Sequence, residues 1–375
     1  MKIRYYSHAH LPTGYGRAAL ALAHALDRAD VELELRTIGA RDPEVPWPIP
    51  GDLLNPIRDP DAIIVHTLPG DCHRVLEIEG LRRGAGPKLI AYTTWEALNA
   101  PPAVTAPLFE HFDQIWVPST PTAVAFTHAA TNLNVHQVQV LPHCCDERVV
   151  LPRRELDDAA HFRCYWAGAW TARKNPGGLI RAFALAFGPG SGAELVLHSP
   201  GVSMDVFVAA LAATGLRQSE LPTIVLSNQY LSEKSMASLH TEADCFVTAA
   251  RGEAWNLPAF DAMLAGRHVI SQYGLGSDEF LVNTSADLID GWESPAQVDV
   301  AFAHSDDGSI SVKTTGAQGL TSRSLWLEPN LSSLADAMRS AFDARRNTIT
   351  INYNVAERFG YAAIAKQALD MLEHV

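Results

Sequence analysis

Two periods alternate along the first 145 residues. Residues 2–7 form a short β-type run, followed by the turn Pro12-Thr-Gly-Tyr-Gly16 and a helical stretch at 17–26. Residues 31–38 alternate apolar with charged side chains, the period of a half-exposed strand. The runs 62–66, 89–93 and 114–118 are continuously apolar, the mark of strands covered on both faces. Ser119 with Thr122 opens a helix to about residue 130, and 135–141 alternates again. Strands separated by helical stretches imply a parallel, doubly wound sheet.

After a linker at 146–160, rich in Arg, Asp and Glu, a second series begins. Strands are expected at 162–167, 194–198, 223–226, 245–248 and 268–271, with helices at 176–187, 204–214, 233–241 and from about Asn256. Residues 274–325 are poorly periodic and read as loops with some extra strand. Amphipathic helices at 331–342 and 355–372 close the chain. The expected fold class is α/β, with two Rossmann-like, doubly wound domains facing across a cleft. Their boundaries are placed at 1–150 and 160–350, with 351–375 as a C-terminal helix. In such sheets ligands bind beyond the carboxyl ends of the strands.

Bulk properties narrow this picture. A chain of 375 residues has core enough for two domains, and 47% apolar with 19% charged residues is ordinary globular composition. A net charge of −13 argues against a broad nucleic-acid or anionic-membrane surface, although it leaves room for a local basic cleft. The five cysteines show no CxxC and no framework spacing, so neither zinc nor a disulfide scaffold is indicated. The start lacks an apolar signal-like region, and no run of 18 apolar residues occurs. A soluble, cytoplasmic protein with reduced thiols is expected.

The most informative segment is Ala250-Arg-Gly-Glu-Ala-Trp-Asn-Leu-Pro-Ala-Phe-Asp-Ala-Met-Leu-Ala-Gly266. Glu253 and Asp261 flank a turn and the start of a helix near Asn256. A helix N-terminus offers unpaired N–H groups and a positive dipole end to a phosphate, while ionised carboxylates accept from sugar or ribose hydroxyls. The alternatives are a turn cap for Glu253 and a satisfied helix charge for Asp261. Arg173 and Lys174 directly precede a helix opened by Asn175 and Pro176, where two cations oppose the macrodipole. A bound diphosphate would resolve that conflict; a solvated surface pair is the alternative. Gly14, Tyr15 and Gly16 form the corresponding turn of the first half, suited to phosphate or simply to a tight turn. The full G-x-G-x-x-G pattern is absent, which disfavours a nicotinamide cofactor. His10 and His66 fall at a turn and a strand end, and Glu96 ends the 89–93 strand region; these are the acceptor-side candidates. Helix capping is the equal reading for Glu96. No metal-ligand spacing, nucleophile elbow or Walker loop occurs.

Together these residues resemble the GT-B glycosyltransferases, specifically the retaining, family 4-like group (glycosyl transferases group 1) that includes sucrose synthases and bacterial mannosyltransferases. Residues 251–266 are similar to that group's E-G-F-G-L-P-x-x-E-A-M-A-x-G signature, with Glu253 and Asp261 as its acidic pair. Ala-Trp-Thr-Ala-Arg-Lys-Asn-Pro at 169–176 resembles the phosphate-binding turn, Val-Leu-Pro-His-Cys-Cys-Asp at 140–146 the P-N-G-V-D interdomain turn, and 118–126 the P-S-x-x-T-x-x-x-F segment. The last helix, from Glu357-Arg-Phe onward, resembles the one that in this fold crosses back onto the first domain.

The resemblance implies a metal-independent, retaining transfer from a nucleotide-diphosphate sugar to a small-molecule, glycan or nucleic-acid hydroxyl, with no cofactor. It implies that Glu253 binds donor-sugar hydroxyls, that Asp261 binds the ribose, and that Arg173 and Lys174 neutralise the diphosphate. Backbone N–H groups of Asn256 and Leu257, with those of Gly14 to Gly16, would hold phosphate oxygens. Asp261 is one methylene shorter than the usual Glu, Ala254 and Asn256 replace two glycines, and Cys144-Cys145 replaces Asn-Gly. Two other readings share the fold. One is a catalytically silent sugar-nucleotide-binding protein. The other is a phage-type transferase acting on a modified nucleic-acid base, for which Arg153, Arg154, Arg173 and Lys174 would supply a basic cleft.

Overall fold

The computed structural model describes residues 1–11, 13–39, 49–128, 135–146, 161–296, 301–304, 310–313 and 324–373. Most of the expected 146–160 linker, with Arg153 and Arg154, lies outside the described residues. The chain divides into two compact units. The first comprises Met1–Val149, Pro295–Leu325 and Tyr353–Val375; the second comprises Val150–Ser294 and Trp326–Asn352.

In the first unit the chain runs β1 (Lys2–Ser7), α1 (Gly14–Asp27), β2 (Glu32–Thr37), β3 (Ala62–His66), α2 (Pro69–Ile78), β4 (Lys88–Tyr92), α3 (Pro102–His111), β5 (Gln114–Val117), α4 (Thr120–His128) and β6 (Val138–Val140). The strands form one parallel sheet in the order β2-β1-β3-β4-β5-β6. Ile63, Ile64 and Val65 of β3 have no exposed surface, as a strand covered on both faces requires. The edge strand β2 carries one buried charge, Glu34, which takes hydrogen bonds of 2.7 Å from both Arg4 Nε and Arg36 Nε and a third from the Ile57 N–H.

The second unit repeats the scheme with β7 (Phe162–Ala167), α5 (Pro176–Ala186), β8 (Ala193–His198), α6 (Met204–Ala212), β9 (Thr223–Ser227), α7 (Glu233–Glu242), β10 (Cys245–Val247), α8 (Leu257–Leu264), β11 (His268–Gln272), α9 (Asp278–Leu281) and β12 (Asp287–Ile289). Its parallel sheet has the order β12-β11-β10-β7-β8-β9. The poorly periodic region adds β13 (Gly291–Pro295), β14 (Ala301–His304), β15 (Ile310–Lys313) and β16 (Leu325–Pro329), in the pairs β13-β16 and β14-β15. The helix α10 (Leu331–Asp343) follows.

The helix expected at 355–372 is two helices, α11 (Val355–Phe359) and α12 (Tyr361–Glu373). Gly360 separates them in extended conformation, φ −66° and ψ 160°. A Cβ at that position would overlap the Ala356 carbonyl oxygen, so the break is built on a glycine. Tyr361, Ile364, Ala365, Ala368 and Leu372 recur every three or four residues on α12 and join the core cluster of Leu22, Ala25 and Leu26 on α1. Gln367 Nε2 donates to the Val140 carbonyl at 2.8 Å and Gln114 Nε2 to that of Met371 at 3.1 Å, tying α12 to the first sheet.

Candidate functional site

The strand order locates the chemistry. In the second sheet the chain builds outward from β7 through β8 to β9, then returns to place β10, β11 and β12 on the other side of β7. The reversal falls between β7 and β10, and crevices at such switch points are where open α/β sheets bind ligands. The turn after β7 carries Arg173 and Lys174; the turn after β10 carries Glu253.

The two turns are joined. Lys174 Nζ lies 2.6 Å from Glu253 Oε1 and 2.8 Å from Oε2. Arg173 Nη1 donates to the Gly252 carbonyl at 2.7 Å and reaches Glu253 Oε2 at 3.3 Å. Glu253 is buried, with 5% of its side chain exposed, so these contacts act in a poorly screened place. The backbone closes the same seam, the Arg251 N–H donating to the Arg173 carbonyl at 2.7 Å. Arg251 adds a two-armed ion pair with Glu328 of β16, at 2.5 and 3.0 Å, and donates to the Ala172 carbonyl. From behind, the Gly276 N–H donates to the Glu253 carbonyl at 2.8 Å.

Both turns end in a helix capped in the same way. Asn175 (φ 52°) and Asn256 (φ 76°) are left-handed N-caps of α5 and α8, their side chains accepting from the N–H groups of Gly178 and Ala259. Glycine and asparagine are the residues that occupy this conformation readily. That explains how asparagine replaces a glycine of the resembled signature at 256. Leu257 is the first residue of α8, so its N–H belongs to the helix's unpaired first turn.

Asp261 lies elsewhere on α8. It is buried, and its Oδ2 is 3.7 Å from Nε2 of the buried His240 on α7. His240 Nδ1 in turn lies 2.7 Å from the Tyr165 hydroxyl on β7.

In the first unit the reversal falls between β1 and β3. The helix begins earlier than the pattern predicts: Thr13 is the N-cap of α1, its side chain accepting from Gly16 N, and Gly14, Tyr15 and Gly16 form the first turn. A Cβ on Gly16 would overlap the Leu11 carbonyl oxygen and come within 2.9 Å of that of His8, so close backbone packing alone requires this glycine. His66, at the end of β3, is buried beside Tyr15, with ring centroids 5.7 Å apart, and stacks on Tyr92 at 4.2 Å. The Tyr5 hydroxyl lies 2.6 Å from His66 Nδ1, and Tyr92 bridges the Leu141 carbonyl and His143 Nδ1. Burial drives the His66 pKa well below the ordinary value, with His143 and His8 adding to it, and burial lowers His143 to about 3. Both rings are therefore neutral at pH 7. The Tyr15 hydroxyl bonds Thr94; burial first and then the Glu96 charge raise its pKa, which puts Glu96 in the same group. His10 is buried with its ring 6.4 Å from His8, whose Nε2 meets Thr67 Oγ1 at 2.8 Å. The acceptor-side candidates thus gather at the carboxyl ends of β1, β3 and β4.

Sequence reasoning missed the tyrosines that hold these histidines, the Arg251–Glu328 clamp and Gly276. A glycine inside an irregular tract was the available signal for Gly276; the rest depend on partners remote in sequence.

The chain matches no protein-family model and no curated protein. In structure it is similar to HepE of Anabaena in complex with UDP-glucose, with a TM-score of 0.67 at 14% identity over 100% of both chains. It is similar to a sucrose-phosphate synthase from Thermosynechococcus elongatus, with a TM-score of 0.68 at 14% identity over 100% of this chain and 98% of that one. The fold is GT-B. A third GT-B likeness is the lipopolysaccharide outer core galactosyltransferase WaaB in its apo form, with a TM-score of 0.61 at 11% identity over 100% of both chains. No described helix of this GT-B chain is long and apolar enough to cross a membrane.

Proposed function

We propose that the chain is a retaining glycosyltransferase that moves a hexosyl group from a nucleoside-diphosphate sugar to a hydroxyl acceptor without a metal ion. The observation that carries this reading is the Glu253 carboxylate held by Lys174 and Arg173 at the switch point of the second sheet, beside the N-termini of α5 and α8. The likeness to HepE, which was solved with UDP-glucose, supports the donor class. Retention and metal independence rest on the resemblance of residues 169–176 and 251–266 to the family 4-like motifs.

On this reading Lys174 and Arg173 neutralise the diphosphate, and their charge matters most as the bond from sugar C1 to the phosphate oxygen breaks. Glu253 accepts from hydroxyls of the donor sugar, Asp261 from the ribose. The Leu257 and Asn256 N–H groups, and those of Gly14 and Tyr15, take phosphate oxygens, while the Gly16 N–H is held by the Thr13 side chain and Gly16 serves the turn by its lack of a side chain. The acceptor oxygen attacks C1 on the face the phosphate leaves, and its proton passes to the departing phosphate oxygen. The products are the glycoside and the nucleoside diphosphate, and the protein supplies no nucleophile. His10, His66 and Glu96 are the acceptor-side residues.

Thermal shift and donor hydrolysis across UDP-, GDP- and ADP-sugars test the reading. One nucleotide series is expected to stabilise the protein, since a ligand at 100 times its Kd adds about 2.7 kcal/mol. Its hydrolysis should fall at least a hundredfold in Glu253→Gln and Lys174→Ala. Stabilisation by no series, or variants within about threefold of wild type, would sink it. Stabilisation without turnover for any acceptor would leave a binding protein in its place.

A further inference from the structure

The shortened acidic residue of the 251–266 motif has a neighbour that the sequence pattern does not reveal. His240 of α7 is 2% exposed and stands between two side chains, the Tyr165 hydroxyl at 2.7 Å from its Nδ1 and Asp261 Oδ2 at 3.7 Å from its Nε2. Tyr165, on the central strand β7, has no exposed surface, and burial holds its phenol protonated, with the Asp261 charge adding to that effect. Among the described residues the hydrogen-bond partner of that phenol is His240 Nδ1. The phenol proton must therefore be donated to Nδ1, because the reverse arrangement would leave a buried O–H unpaired. An imidazole that accepts at Nδ1 carries its proton on Nε2, and Nε2 is the nitrogen that faces Asp261.

We infer that His240 is a positioning residue that orients the Asp261 carboxylate toward the ribose of a bound nucleotide. This rests on the donor-binding reading of Asp261 given above. At 3.7 Å the contact is longer than a hydrogen bond, so His240 restrains Asp261 as an N–H dipole facing a carboxylate. An aspartate reaches one methylene less far than a glutamate. Its usefulness to a ribose then depends on which way the short side chain is turned, and the N–H of a rigidly held ring biases that choice. Tyr165 contributes by selecting the tautomer.

Titration calorimetry separates this role from a merely structural one. UDP, GDP and ADP, each paired with its 2′,3′-dideoxy analogue, are titrated into the wild type, His240→Leu and His240→Gln. The wild type should bind the ribonucleotide of one pair more tightly than the dideoxy form. In His240→Leu the ribonucleotide should weaken about tenfold while the dideoxy analogue changes less than twofold. His240→Gln, whose amide N–H replaces Nε2–H, should recover part of the loss. If His240→Leu does not fold, His240→Gln against Tyr165→Phe carries the same comparison, with the larger ribose-specific loss expected in Tyr165→Phe. Equal weakening of both nucleotides, or none, overturns the inference while leaving the donor reading intact. A wild type that binds no nucleotide overturns both.

Discussion

Lys174 Nζ meets both carboxylate oxygens of Glu253, at 2.6 and 2.8 Å, across 79 residues of chain. The side chains are 15% and 5% exposed, so the pair is poorly screened without being dry. Breaking a fully buried pair from one side costs about 3–5 kcal/mol. Lys174→Met leaves Glu253 with Arg173 and is expected to destabilise by about 2 kcal/mol. Glu253→Gln, which keeps the shape, should cost less. Both should lower kcat/KM at least a hundredfold, about 2.7 kcal/mol. Urea unfolding and donor turnover read the two effects separately, and an unchanged urea midpoint for Lys174→Met would mark the pair as solvated.

The left-handed cap at Asn256, φ 76°, makes two substitutions diverge. Alanine there loses the cap, worth about 1 kcal/mol, and adds about 1 kcal/mol of backbone strain. Glycine loses the cap but relaxes the backbone. Asn256→Ala is expected to destabilise by about 2 kcal/mol and Asn256→Gly by under about 0.5 kcal/mol. Equal losses in denaturant titrations would refute the backbone argument.

Gly276 and Gly177 form another contrast. A Cβ on Gly276 would overlap the Ala254 carbonyl and come within 2.7 Å of the Glu253 carbonyl oxygen, whereas one on Gly177 meets nothing within 4 Å. Gly276→Ala should therefore cost about 2 kcal/mol and reduce turnover by displacing the Glu253 segment. Gly177→Ala, in the first turn of α5, should raise stability by about 0.5 kcal/mol. Melting curves of the two variants check both signs.

Asp278 predicts a pH dependence. Burial raises its pKa to about 6; the Gly274 N–H on Oδ2 at 2.8 Å opposes the rise and the Glu279 charge adds to it. A carboxyl raised above its ordinary value of about 3.9 binds its proton more tightly when folded. Its stabilising contribution is whole below pH ~4 and is lost as pH rises through about 6. Asp278→Asn imitates the neutral form, so its stability relative to wild type should climb between pH 4 and 7 and then level off. A difference that stays flat over that window would contradict the assignment.

Much of the fold is legible in local pattern. The continuously apolar run at 62–66 coincides with β3, because a strand buried on both faces needs apolar residues along its length, and the strand expected at 162–167 coincides with β7. The helices α2 and α3 were less visible: each begins on a proline, and α3 carries Pro107 inside it, which interrupts the apolar period. The region 274–325 read as loops with some extra strand because its described strands are short, three to five residues each, and only β12 among them joins a large sheet. In the candidate site, cations before a helix start and a carboxylate in a glycine-containing turn signalled Arg173, Lys174 and Glu253 from local chemistry alone.

By itself the sequence determined the alternation of strand and helix in both halves, the helix starts at Asn175 and near Asn256, and which charged residues stand as candidates for a site. All of these are set within a few residues of one another. Only the tertiary structure decided that Lys174 grips Glu253, that Asp261 faces His240 rather than standing alone, and that Tyr5 and Tyr165, at the same place on the first strand of each sheet, each engage a buried histidine Nδ1. Those partners are brought together by strand order, and strand order follows from how whole layers bury their apolar faces, which no local period encodes.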